Sequence, residues 1–303
     1  MPKLLPTTAG CEIEVNNIAG LGKDVAWVQE NFIRRANLPD WSVKTDGSCG
    51  RTGAGVEVVS PVFKTEDDLK QVVKACANLK RGGFKVSERC GLHVHIGVGN
   101  LTEEQRNRFI KFFVHFENAF YLFDPTRKKN KFSAPISPEI IYAVKAENKG
   151  WGAWTGRYFW MNGMAYVAHT TVEFRLMGGT LDETHIVGWI EFLLHIYDQV
   201  VNFNLDAPSW DKVDNTDDFA LLQHLLTSAN FGGTSHRSQV AREWAMQRFK
   251  DVQGVQDVAA MRAERRARRL AAWKGKQPFV PIFVPGQVVP NAPKPAAEQV
   301  IED

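Results

Sequence analysis

At 303 residues with 44% hydrophobic content, the chain has apolar material for one large core or two modest ones, which excludes global disorder. Lys and Arg number 37 against 34 Asp and Glu, a formal charge of +3, so the overall balance gives no reason to expect nucleic-acid binding. No stretch approaches the roughly 18 unbroken apolar residues of a membrane span, and Met1-Pro2-Lys3-Leu4-Leu5-Pro6 is too short for a secretory signal, so a soluble cytoplasmic protein is expected.

In chain order, Cys11 to Val15 is the first run with alternating character and reads as a strand; Gly55 to Val59 is the second. Thr65-Glu66-Asp67-Asp68 then predicts a capped helix running to about Leu79 and stopped by Gly82-Gly83. Gly91 to Ile96 reads as a third strand, and Thr102 with Gln105 forms a capping box for a helix ending near Phe123. Thr171 to Leu176 is a fourth strand. A helix from about Asp182 to Val200 carries Ile186, Ile190, Leu193, Ile196 and Val200 as its inner stripe, with His195 beside that stripe as a satisfied core residue. From Thr216 the pattern is helical through Phe219 to Asn230 and again from about Ser238 to Trp273. The arginines between Arg262 and Arg269 wrap much of that last helix, which reads as a solvated face. Beyond Gln277, six prolines from Pro278 to Pro295 with little periodicity predict an extended or disordered tail. The four cysteines, Cys11, Cys49, Cys76 and Cys90, lack the close pairing of zinc or redox motifs and are expected as reduced thiols.

The four strands share a second pattern. Side chains alternate faces with period two, so Glu12 and Glu14 share one face while Cys11, Ile13 and Val15 share the other. Glu57 opposes Val56 and Val58; His93 and His95 oppose Leu92, Val94 and Ile96; Thr171, Glu173 and Arg175 oppose Val172, Phe174 and Leu176. An ordinary antiparallel sheet also turns one face to water, but such a face is usually diluted by Thr, Ser, Lys and Gln, whereas this one is almost entirely Glu, His and Arg. Several carboxylates on one surface repel at low dielectric and need a cation to stay ionised together. Hard oxygen donors with few nitrogens suit Mg²⁺ or Mn²⁺ better than zinc. Arg175 supplies the positive group that a transferring phosphoryl requires.

Gly10-Cys11-Glu12-Ile13-Glu14, Asp46-Gly47-Ser48 followed by Gly55-Val56-Glu57-Val58-Val59-Ser60-Pro61, Cys90-Gly91-Leu92-His93-Val94-His95, Arg157-Tyr158 and Thr171-Val172-Glu173-Phe174-Arg175 occur in that order over roughly residues 9 to 200. Together these segments resemble the amidoligases of the glutamine-synthetase-like carboxylate–amine ligase superfamily. The resemblance implies that Glu12, Glu14, Glu57 and Glu173 are magnesium ligands, with one of His93 and His95 a further ligand or phosphate contact, and Arg175 an ATP-phosphate contact. It further implies that Asp46 and Ser48 form an edge of the site, with Asp46 the candidate to take the proton from the attacking amine. An ordinary Asp-Gly turn explains the same residues equally well. Arg127 and Arg157 are expected either to face substrate carboxylate or phosphate or to make surface salt bridges.

The fold so implied is α+β: a glutamine-synthetase-like antiparallel sheet with helices on one face and a C-terminal helical extension. Residues 1–205 are the expected catalytic domain, 206–276 a helical extension and 277–303 a tail. The expected activity is ATP-dependent joining of a carboxylate substrate to an amine substrate through an acyl-phosphate. A guanidino-kinase-like phosphotransferase and a catalytically silent binding protein on the same fold are the competing readings. Residues 130–160 and everything after Asn202 match no feature of the family, so the two substrates stay open at this point.

Overall fold

The computed structural model describes residues 3–16, 25–34, 36–49, 55–146, 154, 156–208 and 217–274. Seven strands form one sheet: β1 (Leu4–Val15), β2 (Ser42–Thr45), β3 (Val56–Val59), β4 (Phe63–Thr65), β5 (Gly91–Gly97), β6 (Met161–Asn162) and β7 (Thr171–Gly178). Every strand pair is antiparallel, in the order β2-β3-β1-β5-β7-β6, with β4 pairing the first part of β1. The long β1 is therefore the hub, pairing β5 through Ala9–Ile13 and β3 through Glu12–Val15, so that Glu12 and Ile13 are paired on both sides.

Alternation sorts the side chains as expected. Cys11, Ile13, Val15, Val56, Val58, Leu92, Val94, Ile96, Val172, Phe174 and Leu176 are all buried in the core. They meet helices α2 (Lys70–Arg81), α3 (Glu103–His115) and α7 (Glu183–Tyr197), which belong to the same core cluster. Fully burying each such side chain is worth about 2 kcal/mol, so the sheet is anchored chiefly by this face. The capping box of α3 is formed, Thr102 accepting from the Gln105 backbone and Gln105 from the Thr102 N–H. Asp182 caps α7 by accepting from the N–H groups of Thr184 and His185. Gly82 and Gly83, the latter at a φ of 78°, end α2.

Three boundaries differ from expectation. Residues 66–69 form successive i→i+3 hydrogen-bonded turns and α2 starts at Lys70, although the expected cap is made: the Asp68 N–H donates to the Thr65 hydroxyl at 3.3 Å and the Asp68 carboxylate accepts from the Thr65 N–H at 2.8 Å. The helix expected from Thr102 to Phe123 breaks at Phe116, which leaves the helical region at φ −97° and ψ 15°, and resumes as the short α4 (Glu117–Phe120). Helix α7 ends at Tyr197 and passes into a π-helical turn over Asp198–Asn202.

The remaining helices are α1 (Val25–Val28), α5 (Pro138–Ala146), α6 (Ala165–His169), α8 (Asp218–Ser228) and α9 (His236–Lys274). Two compact units divide the chain at residues 255 and 256. In the first, Trp244 of α9 lies against Trp189 and Phe192 of α7, seated over Gly188, where any Cβ would overlap its indole. His195 is buried, bonded to the Ala229 carbonyl at 2.9 Å and packed on Phe231, a structural histidine. Trp160 is likewise core, ringed by Phe113, Phe120 and Phe174. In the second unit, residues 256–274 are helical, and the Pro-rich stretch lies outside the described residues. Among the described residues no helix is long and apolar enough to cross a membrane.

Candidate active site

The other face of the sheet floors a cavity of about 590 Å³ lined by Glu12, Glu14, Asp46, Ser48, Glu57, His93, His95, Arg157, Glu173 and Arg175 together with Phe132, Tyr158, Asn162 and residues of α6. Strand register explains the gathering. Glu14 lies opposite Glu57, Glu12 opposite His93, His95 opposite Glu173 and Glu173 opposite Asn162, so a stepped band of polar positions crosses five neighbouring strands. The β5–β7 register shifts between Leu92 and Val94, where Arg175 and Leu176 of β7 oppose the single residue His93, a bulge in β7.

His93 is the centre of the cluster. Its Nδ1 lies 3.2 Å from Glu12, 3.4 Å from Glu173 and 3.9 Å from Glu57, and its Nε2 lies 3.5 Å from Glu14. The ring is 3% exposed, and burial holds its pKa below the ordinary value even though the Glu12 hydrogen bond works the other way. The carboxylates respond differently to being crowded. Burial, reinforced by Asp46, pushes Glu14 up to about 8 although the Gly91 N–H donates to it at 2.6 Å. Burial and the neighbouring Glu12 push Glu57 up to about 9. Glu12 is half-buried, but hydrogen bonds from His93 and His95 outweigh the desolvation and hold it well below the usual carboxylate range. With protein groups alone, then, Glu14 and Glu57 carry protons at neutral pH that a divalent cation would displace.

The donor set fits such a cation. Glu12, His93 and Glu173 can each direct one ligand atom to within 4.8 Å of the others, and so can Glu14, Glu57 and His93. Opposed oxygens around Mg²⁺ lie about 4.2 Å apart, twice the usual bond length. A third group, Glu14, Asp46 and Cys49, lies beside them. Glu173 is fixed from both sides: the Asn162 amide donates to one oxygen at 2.7 Å and the Arg175 guanidinium to the other. Arg175 is itself aimed by its Nε bond to the Phe132 carbonyl at 3.0 Å.

Asp46 and Ser48 do reach the cleft edge, and they are also a turn: the Ser48 N–H and hydroxyl both donate to Asp46 Oδ1 at 2.7 Å. Arg157 is exposed at the rim, bonded to the Tyr158 hydroxyl at 3.0 Å and lying over its ring, and makes no surface salt bridge among the described residues. His95 borders the cleft, its Nδ1 paired with the Thr171 hydroxyl at 2.9 Å. Arg127 is the exception. It is buried at 4% exposure, donates to the Arg175 carbonyl at 3.1 Å and does not line the cleft, so neither expectation for it holds: it supports the strand that carries Arg175. Sequence reasoning missed Asn162, His169 and Lys44. Asn162 sits on a two-residue strand with no periodicity to read, and His169 on a five-residue helix. Lys44 was legible in the alternation Trp41-Ser42-Val43-Lys44, and it stands opposite Glu57.

A family model described as "Putative amidoligase enzyme" matches residues 29–197. Among solved structures, one described as "GmaS/ADP complex-Conformation 1" is similar over 83% of this chain and 71% of that chain, at 10% identity and a TM-score of 0.44. No curated protein sequence matches.

Proposed function

The chain belongs to the amidoligase enzyme family, whose model spans more than half of it, and from that premise we propose that the cleft joins a carboxylate to an amine at the expense of ATP, through an acyl-phosphate. The observation that carries the reading is the ring of four glutamates around His93 with Arg175 and Arg157 at one end. Glu12, Glu14, Glu57, Glu173 and His93 would hold Mg²⁺ or Mn²⁺, which when bound offsets charge on the transferring phosphoryl group. ATP phosphates would lie toward Arg175 and Arg157, the purine against Tyr158 and Phe132.

A carboxylate does not acylate an amine near neutral pH because its oxygen is a poor leaving group. In the proposed sequence, a carboxylate oxygen attacks the γ-phosphorus and the bond to ADP breaks. The amine nitrogen then attacks the acyl carbon and phosphate leaves. Arg175 contributes by presenting a planar guanidinium to the phosphoryl oxygens from a position fixed by Phe132 and Glu173. The amine proton must go to the protein, and Asp46 is the proposed acceptor. Its Oδ1 is held by Ser48, and it shares a hydrogen bond with Glu14, so once Glu14 is unprotonated Asp46 loses that donor and can accept.

Hydroxylamine tests the intermediate, since any small nucleophile that reaches an acyl-phosphate intercepts it. Incubation with Mg-ATP, hydroxylamine and a pool of acids should give a hydroxamate with ADP and phosphate. AMP and pyrophosphate would mean an acyl-adenylate and sink the mechanism. Phosphorylation of a guanidine with no acid present would indicate a kinase, and no nucleotide turnover across a broad pool a binding protein.

A further inference from the structure

The cleft does not end at its histidines. A second cavity of about 380 Å³ shares Glu12, His95 and His169 with it and extends beyond them to Lys44, Val59 and Val62. The divide is the edge-to-face pair of His95 and His169, ring centroids 5.8 Å apart. His169 is put there by unusual backbone: Thr170, a β-branched residue, ends α6 in the left-handed region at φ 54°. That conformation is disfavoured for a branched side chain, and such outliers concentrate at functional sites. It is held by the Thr170 N–H bond to Tyr166 at 2.9 Å and by the Val98 N–H donating to the Thr170 carbonyl at 3.0 Å.

The two lobes differ in chemistry. The first offers two arginines and two aromatic rings, suited to a nucleotide triphosphate. The second offers one carboxylate at its inner end, where Glu12 Oε1 faces His95 Nε2 at 3.4 Å, and one exposed ammonium, Lys44, with apolar Val59, Pro61 and Val62 between. Glu12 Oε2 lies 3.2 Å from His93 Nδ1 and Oε1 lies 3.4 Å from His95 Nε2, so this carboxylate stands on the boundary that both cavities share. A ligand complementary to that wall carries a positive group inward, a negative group outward and an apolar flank.

We propose that this second lobe binds the amine substrate, and that the amine is a free amino acid, its ammonium meeting Glu12 and its carboxylate meeting Lys44. The proposal rests on the ligase reading.

The test is binding, which needs no turnover. Saturation-transfer NMR on the full chain with Mg²⁺ and ADP would screen the twenty common amino acids, and each binder would be compared with its decarboxylated amine and its deaminated acid. At least one amino acid should bind, and both counterparts should bind about tenfold or more weakly. Lys44→Ala should weaken the amino acid by a similar factor while leaving ADP affinity and melting temperature unchanged, and Val62→Trp, which fills the lobe mouth, should abolish amino-acid binding alone. Equal binding of the deaminated acid would give the lobe to the other substrate and overturn the proposal. So would ADP binding with no amino acid bound, a result that leaves the ligase reading standing. Failure of Mg-ADP itself to bind would remove the ligase reading and this inference with it.

Discussion

Replacing Glu14 by Gln separates the cost of the acidic cluster from its use. In the fold Glu14 is held up to about 8 by burial and by Asp46, against an ordinary 4.5, so between those values the native state keeps a proton that the unfolded chain has released. Stability must then fall as pH rises through that window, by about 1.4 kcal/mol per pH unit for one group. Between about pH 5.5 and pH 7.5 the wild type should lose roughly 2–3 kcal/mol through this residue, and the Gln variant, which has nothing to titrate there, should lose none of it. Gln keeps an oxygen to accept the Gly91 N–H, so the strand contact survives. The assay is urea unfolding of both proteins in EDTA at intervals across that range; groups that do not face Glu14 cancel in the difference, and Glu57 and Asp46, which do, are replaced in turn as controls. With Mg²⁺ present the order should reverse: the wild type, whose Glu14 proton the cation displaces, should gain stability as pH rises, and the variant should gain little. Parallel pH profiles in EDTA, or an equal Mg²⁺ shift in both proteins, would refute the reasoning.

Other outcomes follow from the same geometry. Arg175→Lys keeps a charge but cannot bond Phe132 and Glu173 while presenting a planar fork, so nucleotide turnover should fall about 10²-fold or more; a near-wild-type rate would make Arg175 structural. Asn162→Leu should release one oxygen of Glu173 and weaken cation affinity about 10-fold or more by calorimetry, with the melting temperature checked alongside; unchanged affinity would dismiss Asn162 as a positioning residue. Gly188→Ala should cost about 1–3 kcal/mol in chemical unfolding because a methyl group there overlaps Trp244, and a neutral result would mean that α9 can shift away.

Much of the site could be read from the sequence because a strand writes its faces into it. Glu12, Glu14, Glu57, His93, His95, Glu173 and Arg175 sit at alternate positions of strands whose other face is apolar, and pairing brings them together wherever turns place the strands. The Asp182 cap and the Thr102 box were legible for a similar reason, each being a bond between residues close in sequence. What was lost had no local signature. Strands β4 and β6 are too short to alternate, and Arg127 was misplaced because nothing local shows whether a side chain points into a cleft or under a strand. The Thr65–Asp68 cap was legible as a bond between residues close in sequence, but whether the first turn after it is tight or fully helical is not, and here residues 66–69 are turns before α2.

The hub position of β1 limits how this protein can change. Its middle stretch is paired on both sides, so inserting or deleting one residue before Glu12 would turn Ile13 toward the cleft and the two glutamates into the core, while breaking register with β3 and β5 at once. The acidic cluster is thereby held as a unit by the register of β1. The wall of the second lobe is under no such lock: Lys44 and Val62 are exposed, and exchanging their side chains disturbs no core packing. Divergence in what is joined to what should therefore be found at this rim, over a floor that stays the same.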